Sequence, residues 1–389
     1  MFTIHLGFSG FPNGNASVQR ILLTFKGLRD AGLNPLIINK ISHHQFSNNK
    51  KIHRFDGIPY INTPYFNSKP ASFIKRNLNK LSGYFGELNL LFKKRKKIET
   101  AILYSNYFLE YPYYYTLSRI FGFKLIIQYV EMFSSIESRS SFFTKINDRL
   151  IDKYICSFCD GVMPISDFLV QHIKKINPDR QVIKIPANSD FAKIDAIPTL
   201  LPGQYLMYCG TIVYEQVIEF IISLFVKLKE NKIYQGKLLL IISGEQEQNW
   251  MRLRSLVKTI PFHQDITIKS NIPHAELIGD YKGADLLMIP MRNTVQDLAR
   301  FPHKIGEYTA AKRPILSTNL GELKTYFRDG VSAILADNYS IEAYYDKLAS
   351  LLSSRQLLDQ IGMNGHSIGL ANFDYKAQGK QLKAFIDHL

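Results

Sequence analysis

The stretch FPHKIGEYTAAKRPILSTNLGE, residues 301–322, sets Lys304 and Glu307 three residues apart at the start of a short helical pattern that Pro314 stops. That spacing puts both side chains on one helix face. A lysine in the first turn sits at the positive end of the helix dipole, where it gains nothing structurally. It makes sense where an anion docks and takes up both the ammonium group and the helix-end N–H groups. A carboxylate one turn deeper can accept two hydrogen bonds from a ribose diol. Anion and diol together describe a nucleoside diphosphate. Read without function, the same two residues are a surface ion pair, and His303 beside them is a packing residue.

A second pattern with chemical potential is the loop SGFPNGNAS at 9–17, between an apolar run at 2–8 and a helical pattern at 18–32. Its small residues let backbone N–H groups approach a phosphate closely, although a plain βα turn reads the same way. Gly7, Gly10 and Gly14 give GxxGxxxG instead of GxGxxG, and the second strand ends in Lys40, so no dinucleotide fingerprint is present. CSFC at 156–159 lacks the second pair that a structural zinc site needs. Cys156, Cys159 and Cys209 therefore read as reduced, half-buried thiols, and no disulfide framework is expected.

These residues need strand ends and helix starts to hold them, and the chain supplies both twice. Strands are predicted at 2–8, 35–40, 100–105, 124–131, 161–166 and 181–187, with 43–70 as loop. After the linker-like IPTLLPGQ at 197–204 the alternation restarts. Strands are predicted at 205–211, 237–244, 266–270, 285–290, 314–318 and 332–336, with helices between them and a helical tail. Alternating β and α elements imply parallel sheets covered on both faces. The fold class is α/β, with two Rossmann-like doubly wound domains facing a cleft. The boundaries are 1–196, 204–370 and a terminal helical segment, 371–389, that crosses back to the first domain. A chain of 389 residues exceeds one core and suits two domains. Its net charge of +15 is uneven: residues 1–195 hold 27 Lys/Arg against 14 Asp/Glu, and residues 196–389 hold 21 against 19. The first half is expected to meet an anionic partner. The N-terminus shows no secretory leader and no run reaches membrane-spanning length, which predicts a cytoplasmic address.

FPHKIGEYTAAKRPILSTNLGE after the strand ADLLMIP resembles the donor-site stretch of the GT-B glycosyltransferases, specifically the large retaining family 4 group. FPNGNASVQRIL, CDGVMPISDFLVQHI, KIPANSDF, LMYCGTIVYE and LLIISGEQE are similar to other pieces of that family, in the same order. The resemblance implies transfer of a sugar from a nucleotide-diphosphate sugar with retention, no metal and no other cofactor. It puts the donor in the second domain and the acceptor in the first. Glu307 matches the second glutamate of the family's E-x7-E motif, a ribose ligand. The first falls on Ala299, with Asp297 nearby but out of register. The family's diphosphate-binding arginine and lysine fall on Thr211 and about Gln216, which leaves Lys304 as the phosphate ligand, with Arg292 or Arg300. Gly10, Gly14, Asn15, Gly210, Thr211 and Gly244 complete the donor-binding set. Glu131, at the end of LIIQYVE, is expected to deprotonate the acceptor hydroxyl or only to position it; Lys304 and Glu131 form the expected catalytic pair.

Residues 70–97 interleave Phe73, Leu81, Phe85, Leu88 and Phe92 with lysines and arginines. A basic amphipathic segment can lie in an anionic membrane interface, although a solvated basic helix face has the same composition. Gly83 and Gly86 leave room for two short helices. The resulting expectation is a peripheral enzyme on the inner face of the cytoplasmic membrane. It glycosylates a lipid-linked saccharide during assembly of a surface polysaccharide, such as capsule or O-antigen. A non-catalytic binder of an anionic polymer and a GT-B epimerase or glycogen-type polymerase stay open as alternatives. No motif for nucleic acid is present.

Overall fold

A computed structural model describes residues 1–7, 10–12, 16–41, 51–65, 72–200 and 203–389. The chain divides into two compact units. Unit 1 comprises Met1–Asn188, Leu298–His303 and Tyr375–Leu389; unit 2 comprises Ser189–Asp297 and Lys304–Asp374. The family-type fold read from the sequence is the one observed: each unit is a largely parallel sheet with helices packed on it.

In unit 1 the strands are β1 (Phe2–Gly7), β2 (Asn34–Asn39), β3 (His53–Phe55), β4 (Ile58–Asn62), β5 (Ile98–Tyr104), β6 (Lys124–Tyr129), β7 (Gly161–Pro164) and β8 (Gln181–Val182). Their order is β3-β4-β2-β1-β5-β6-β7-β8, and only β3 runs antiparallel to its neighbour. The central strands are buried on both faces, as apolar runs such as Ile102–Leu103 and Leu125–Ile127 require. The terminal helix Tyr375–Asp387 lies against Ala16–Asp30, where Gly27 and Gly379 bring the two backbones together.

Three sequence expectations for unit 1 are corrected. Segment 43–70 is not all loop: β3 and β4 form a hairpin whose turn residues, Asp56 and Gly57, have φ of 47° and 78°. Two left-handed residues, Asp then Gly, are what a tight primed turn demands. Residues 181–187 are mostly not strand, since β8 holds only two residues. Residues 73–94 form one helix, unbroken at Gly83 and Gly86. Those glycines are there for proximity, not for a break. A Cβ at Gly83 would collide with the Lys40 carbonyl oxygen, and one at Gly86 with that of Thr63.

In unit 2 the strands are β9 (Tyr205–Thr211), β10 (Lys237–Ser243), β11 (Ile266–Lys269), β12 (Leu286–Met288), β13 (Ile315–Thr318) and β14 (Ile334–Ala336). All neighbours are parallel, in the order β11-β10-β9-β12-β13-β14. Counted from β9, that is the 3-2-1-4-5-6 order of doubly wound nucleotide-binding sheets. Its core packs Leu206, Ile221, Phe225, Leu240 and Leu286 around the sheet. The helix Lys304–Ala310 ends as the opening stretch implied: Lys312 turns left-handed (φ 61°), Pro314 follows, and β13 begins at once.

Candidate active site

The strand order of unit 2 reverses between β9 and β12, and ligands of such sheets bind outside the carboxyl ends of the strands at that point. The carboxyl end of β9 is Cys209, Gly210 and Thr211. The Ser243 hydroxyl at the end of β10 donates to the Gly210 carbonyl at 3.2 Å. Gly244 follows with φ of 121°, a conformation few other residues adopt, and its carbonyl accepts from Trp250 Nε1 at 2.9 Å.

Lys304 and Glu307 meet this strand end. The Cys209 N–H donates to Tyr308 Oη at 3.3 Å, which ties β9 to the helix Lys304–Ala310. Burial pushes the Cys209 thiol up, while the Lys304 ammonium nearby pulls it back and Glu307 adds to the rise. Glu307 is 13% exposed, and its Oε1 lies 3.3 Å from Nε2 of the half-exposed His274, which opens the helix His274–Gly283. Tyr281 and Tyr308 stand edge to face at 4.9 Å, both buried, and hold the floor beneath. An ammonium, a carboxylate and a glycine-bearing strand end therefore lie together in unit 2. His274 and Tyr281 escaped sequence reasoning. Nothing in their spacing points to Glu307, and only the return of the chain brings them there.

Arg292 stands differently. Its N–H donates to Asp297 Oδ2 at 2.8 Å and its Nε reaches the same oxygen at 3.3 Å. Asp297 is 1% exposed, so this acid, out of register with the family motif, secures the Arg292 loop. Ala299 is completely buried and its carbonyl accepts from Ser166 Oγ at 2.6 Å. The position matching the family's first glutamate thus packs as an apolar residue within unit 1.

Arg300 also belongs to unit 1. Its charge acts on Glu131. That residue lies two positions past the end of β6, in a loop and not in the strand expected at 124–131. Burial raises the Glu131 carboxyl above its usual range, and Arg300 and then Arg139 partly offset the rise. Arg139 is itself fixed by two hydrogen bonds to the buried Asp148, at 2.7 Å and 2.6 Å. Gly10 is in the left-handed region, φ 119°, while Gly14 and Asn15 lie outside the described residues.

Among the described residues no group of three or more His, Cys, Asp or Glu could hold a metal ion. All three cysteines are free thiols, and burial pushes Cys156 up to about 11 and Cys159 up to about 12. Both therefore stay protonated at neutral pH.

With this geometry in place, known proteins give it a context. Residues 193–367 match the sequence model described as Glycosyl transferases group 1. A D-inositol 3-phosphate glycosyltransferase of Thermobifida fusca is 24% identical over 151 residues, 37% of this chain and 33% of the relative. The chain thus spans about a third of the length of that curated relative. Among solved structures, sucrose-phosphate synthase from Thermosynechococcus elongatus superimposes with a TM-score of 0.76 at 15% identity, covering 100% of this chain and 98% of the other. HepE from Anabaena, solved with UDP, superimposes with a TM-score of 0.70 at 12% identity, covering 100% of both chains. Residues 193–367 are therefore similar in sequence to the glycosyl transferases group 1, and the fold of the chain is that of the GT-B glycosyltransferases.

Proposed function

We propose that the protein is a glycosyltransferase that moves a sugar from a nucleotide-diphosphate sugar to a lipid-linked saccharide, with retention and without a metal. The observation that carries this reading is Lys304 and Glu307 set one helical turn apart against the carboxyl end of β9, inside the segment that matches the family. In this reading the Glu307 carboxylate accepts hydrogen bonds from both ribose hydroxyls. The Lys304 ammonium meets the diphosphate and stabilises the charge it gains as the glycosidic bond breaks. Backbone N–H groups at Gly210 and Thr211 reach the phosphates that the absent arginine and lysine would otherwise hold. Solved relatives carry UDP or ADP, which supports a nucleotide sugar as donor.

Glu131 serves the acceptor. Its carboxyl, raised by burial, is suited to take a hydrogen bond or a proton from the acceptor hydroxyl at neutral pH. In a front-face reaction that proton passes to the leaving phosphate and Glu131 only positions the acceptor. The basic first half of the chain and the segment at about 70–97 support an acceptor displayed on an anionic membrane. The corresponding place is the inner face of the cytoplasmic membrane, and the corresponding role is surface polysaccharide assembly. No helix among the described residues is long and apolar enough to cross a membrane. A thermal-shift panel of UDP, GDP, ADP, CDP and dTDP tests the donor site: one nucleotide should stabilise the protein, and Glu307→Ala should lose that stabilisation. Equal stabilisation of the variant would remove Glu307 from the site.

A further inference from the structure

The helix Phe73–Lys94 is built inside out. Its buried residues are Asn79, Gly83, Glu87 and Leu91, a stripe that is mostly polar or small. Its apolar stripe, Ile74, Leu78, Leu81, Phe85, Leu88 and Phe92, recurs at the four-then-three spacing of one helix face. Five of those six are more than half exposed, Phe85 at 71%. The charged side chains exposed beside them are bases, Lys75, Lys80 and Lys93, and the helix's one acid, Glu87, is completely buried.

The helix Phe142–Tyr154 repeats the arrangement independently. Phe142 and Phe143 are 71% and 81% exposed, and Lys145, Arg149 and Lys153 are exposed with them. Its acids point inward: Asp148 and Asp152 are both buried. The two helices are joined by the chain between them. Leu109, 76% exposed, lines one hollow of about 430 Å³ with Leu81, Phe85 and Leu88. One residue back, the Phe108 N–H donates to Asn147 Oδ1 of the second helix at 2.8 Å, and Asn147 Nδ2 returns a bond to the Asn106 carbonyl.

We infer that unit 1 docks on an anionic lipid bilayer through this two-helix face, with Phe142 and Phe143 entering the interface alongside Leu81 and Phe85. The inference rests on the peripheral part of the function proposed above and extends the contact to a second helix. Charge selects the occupant. An apolar stripe with this period would also suit a second copy of the chain. But a second copy would bring bases to bases, because neither helix exposes an acid. An anionic leaflet supplies the missing sign. Isolated exposed apolar residues are ordinary, but exposed apolar residues grouped on two helices, beside charge of one sign, call for a partner.

The test is co-sedimentation of the full chain with phosphatidylcholine vesicles, with or without phosphatidylglycerol. The double variants Phe142→Ser/Phe143→Ser and Leu81→Ser/Phe85→Ser should each weaken binding to the anionic vesicles at least about tenfold. Lys145→Glu should weaken it more than fivefold or so, the effect of losing one base near such a surface. All these positions are exposed, and circular dichroism confirms folding of each variant. Three results would overturn the inference: no binding, equal binding to neutral vesicles, or a vesicle-independent dimer in analytical ultracentrifugation that the variants abolish. A Phe142→Ser/Phe143→Ser protein that binds as the parent does would overturn the two-helix face and leave the contact at 70–97 standing. Nucleotide stabilisation, read on the same samples, reports on the donor site separately. Its loss with vesicle binding intact would count against the glycosyl-transfer reading and not against this one.

Discussion

The two units share an architecture and differ in what they show to solvent. Every exposed phenylalanine and tyrosine among the described residues lies in unit 1, Phe142 and Phe143 among them. Unit 2 exposes only scattered aliphatic residues and methionines, such as Met251 and Leu357. The excess positive charge falls on the same side of the division, in residues 1–195. Unit 2 instead spends its polar side chains at one strand end, where Lys304, Glu307 and His274 gather over buried tyrosines. It is also the unit that the family model matches. A sheet that gathers charged groups at one strand end suits a small, fixed ligand. A sheet whose helices turn their acids inward and their aromatics outward suits an extended surface.

That difference can be broken from the unit 1 side first. Gly83→Ala would ordinarily stabilise a helix interior by about 1 kcal/mol. Here the new methyl meets the Lys40 carbonyl. The helix Phe73–Lys94 must lift, at a net cost on the order of 3 kcal/mol. Chemical denaturation should show a lower midpoint, and a stabilised variant would mean that the helix is not held against β2 as described.

From the unit 2 side, Glu307→Ala should weaken nucleoside-diphosphate binding about a hundredfold, since charged hydrogen bonds to two hydroxyls are lost. Vesicle partitioning should not change. If both fall together, the two units do not divide the work.

A sharper version acts on Glu131. Glu131→Gln should lower turnover about tenfold to a hundredfold with nucleotide binding intact. The wild-type acid limb should sit above the ordinary glutamate range, because burial raises that carboxyl. Arg300 holds it down, so Arg300→Gln should move the limb to higher pH. A limb that shifts the other way, or not at all, would separate Arg300 from Glu131.

How much of this was legible beforehand depends on distance along the chain. The strand–helix alternation of unit 2 was readable because runs such as Leu238–Ile242 are apolar throughout and their helices have an apolar face. Lys304 and Glu307 could be read from their own spacing. The hairpin at β3 and β4 was passed over although Asp56 and Gly57 announce its turn, because strands of three and five residues carry too little alternation to register. Gly83 was read through local propensity, and tertiary contact with Lys40 decided it instead. Pairs such as Glu131 with Arg300, or Glu307 with His274, join residues 169 and 33 positions apart, and no local pattern marks them.

The smallest expected effect tests the inward-facing acids themselves. Glu87 is fully buried, accepts from Tyr114 Oη at 2.6 Å, and is pushed up to about 7 by burial, with Lys40 opposing the rise. Lys40 in turn bonds Glu110 and, at 3.0 Å, Tyr114. A carboxyl raised above its unfolded value favours the folded state when protonated. Its contribution is whole below the ordinary glutamate range and fades as pH rises through about 7. Glu87→Gln keeps an acceptor for Tyr114 and removes the titration. Denaturation midpoints of wild type and variant should therefore diverge between mildly acidic and mildly basic pH, the variant gaining on the order of 1 kcal/mol. A parallel pair of pH profiles would mean that Lys40 keeps Glu87 ionised throughout. The helix would then be anchored by an ion pair beneath its polar face, and the outward apolar stripe would owe nothing to a neutral acid below it.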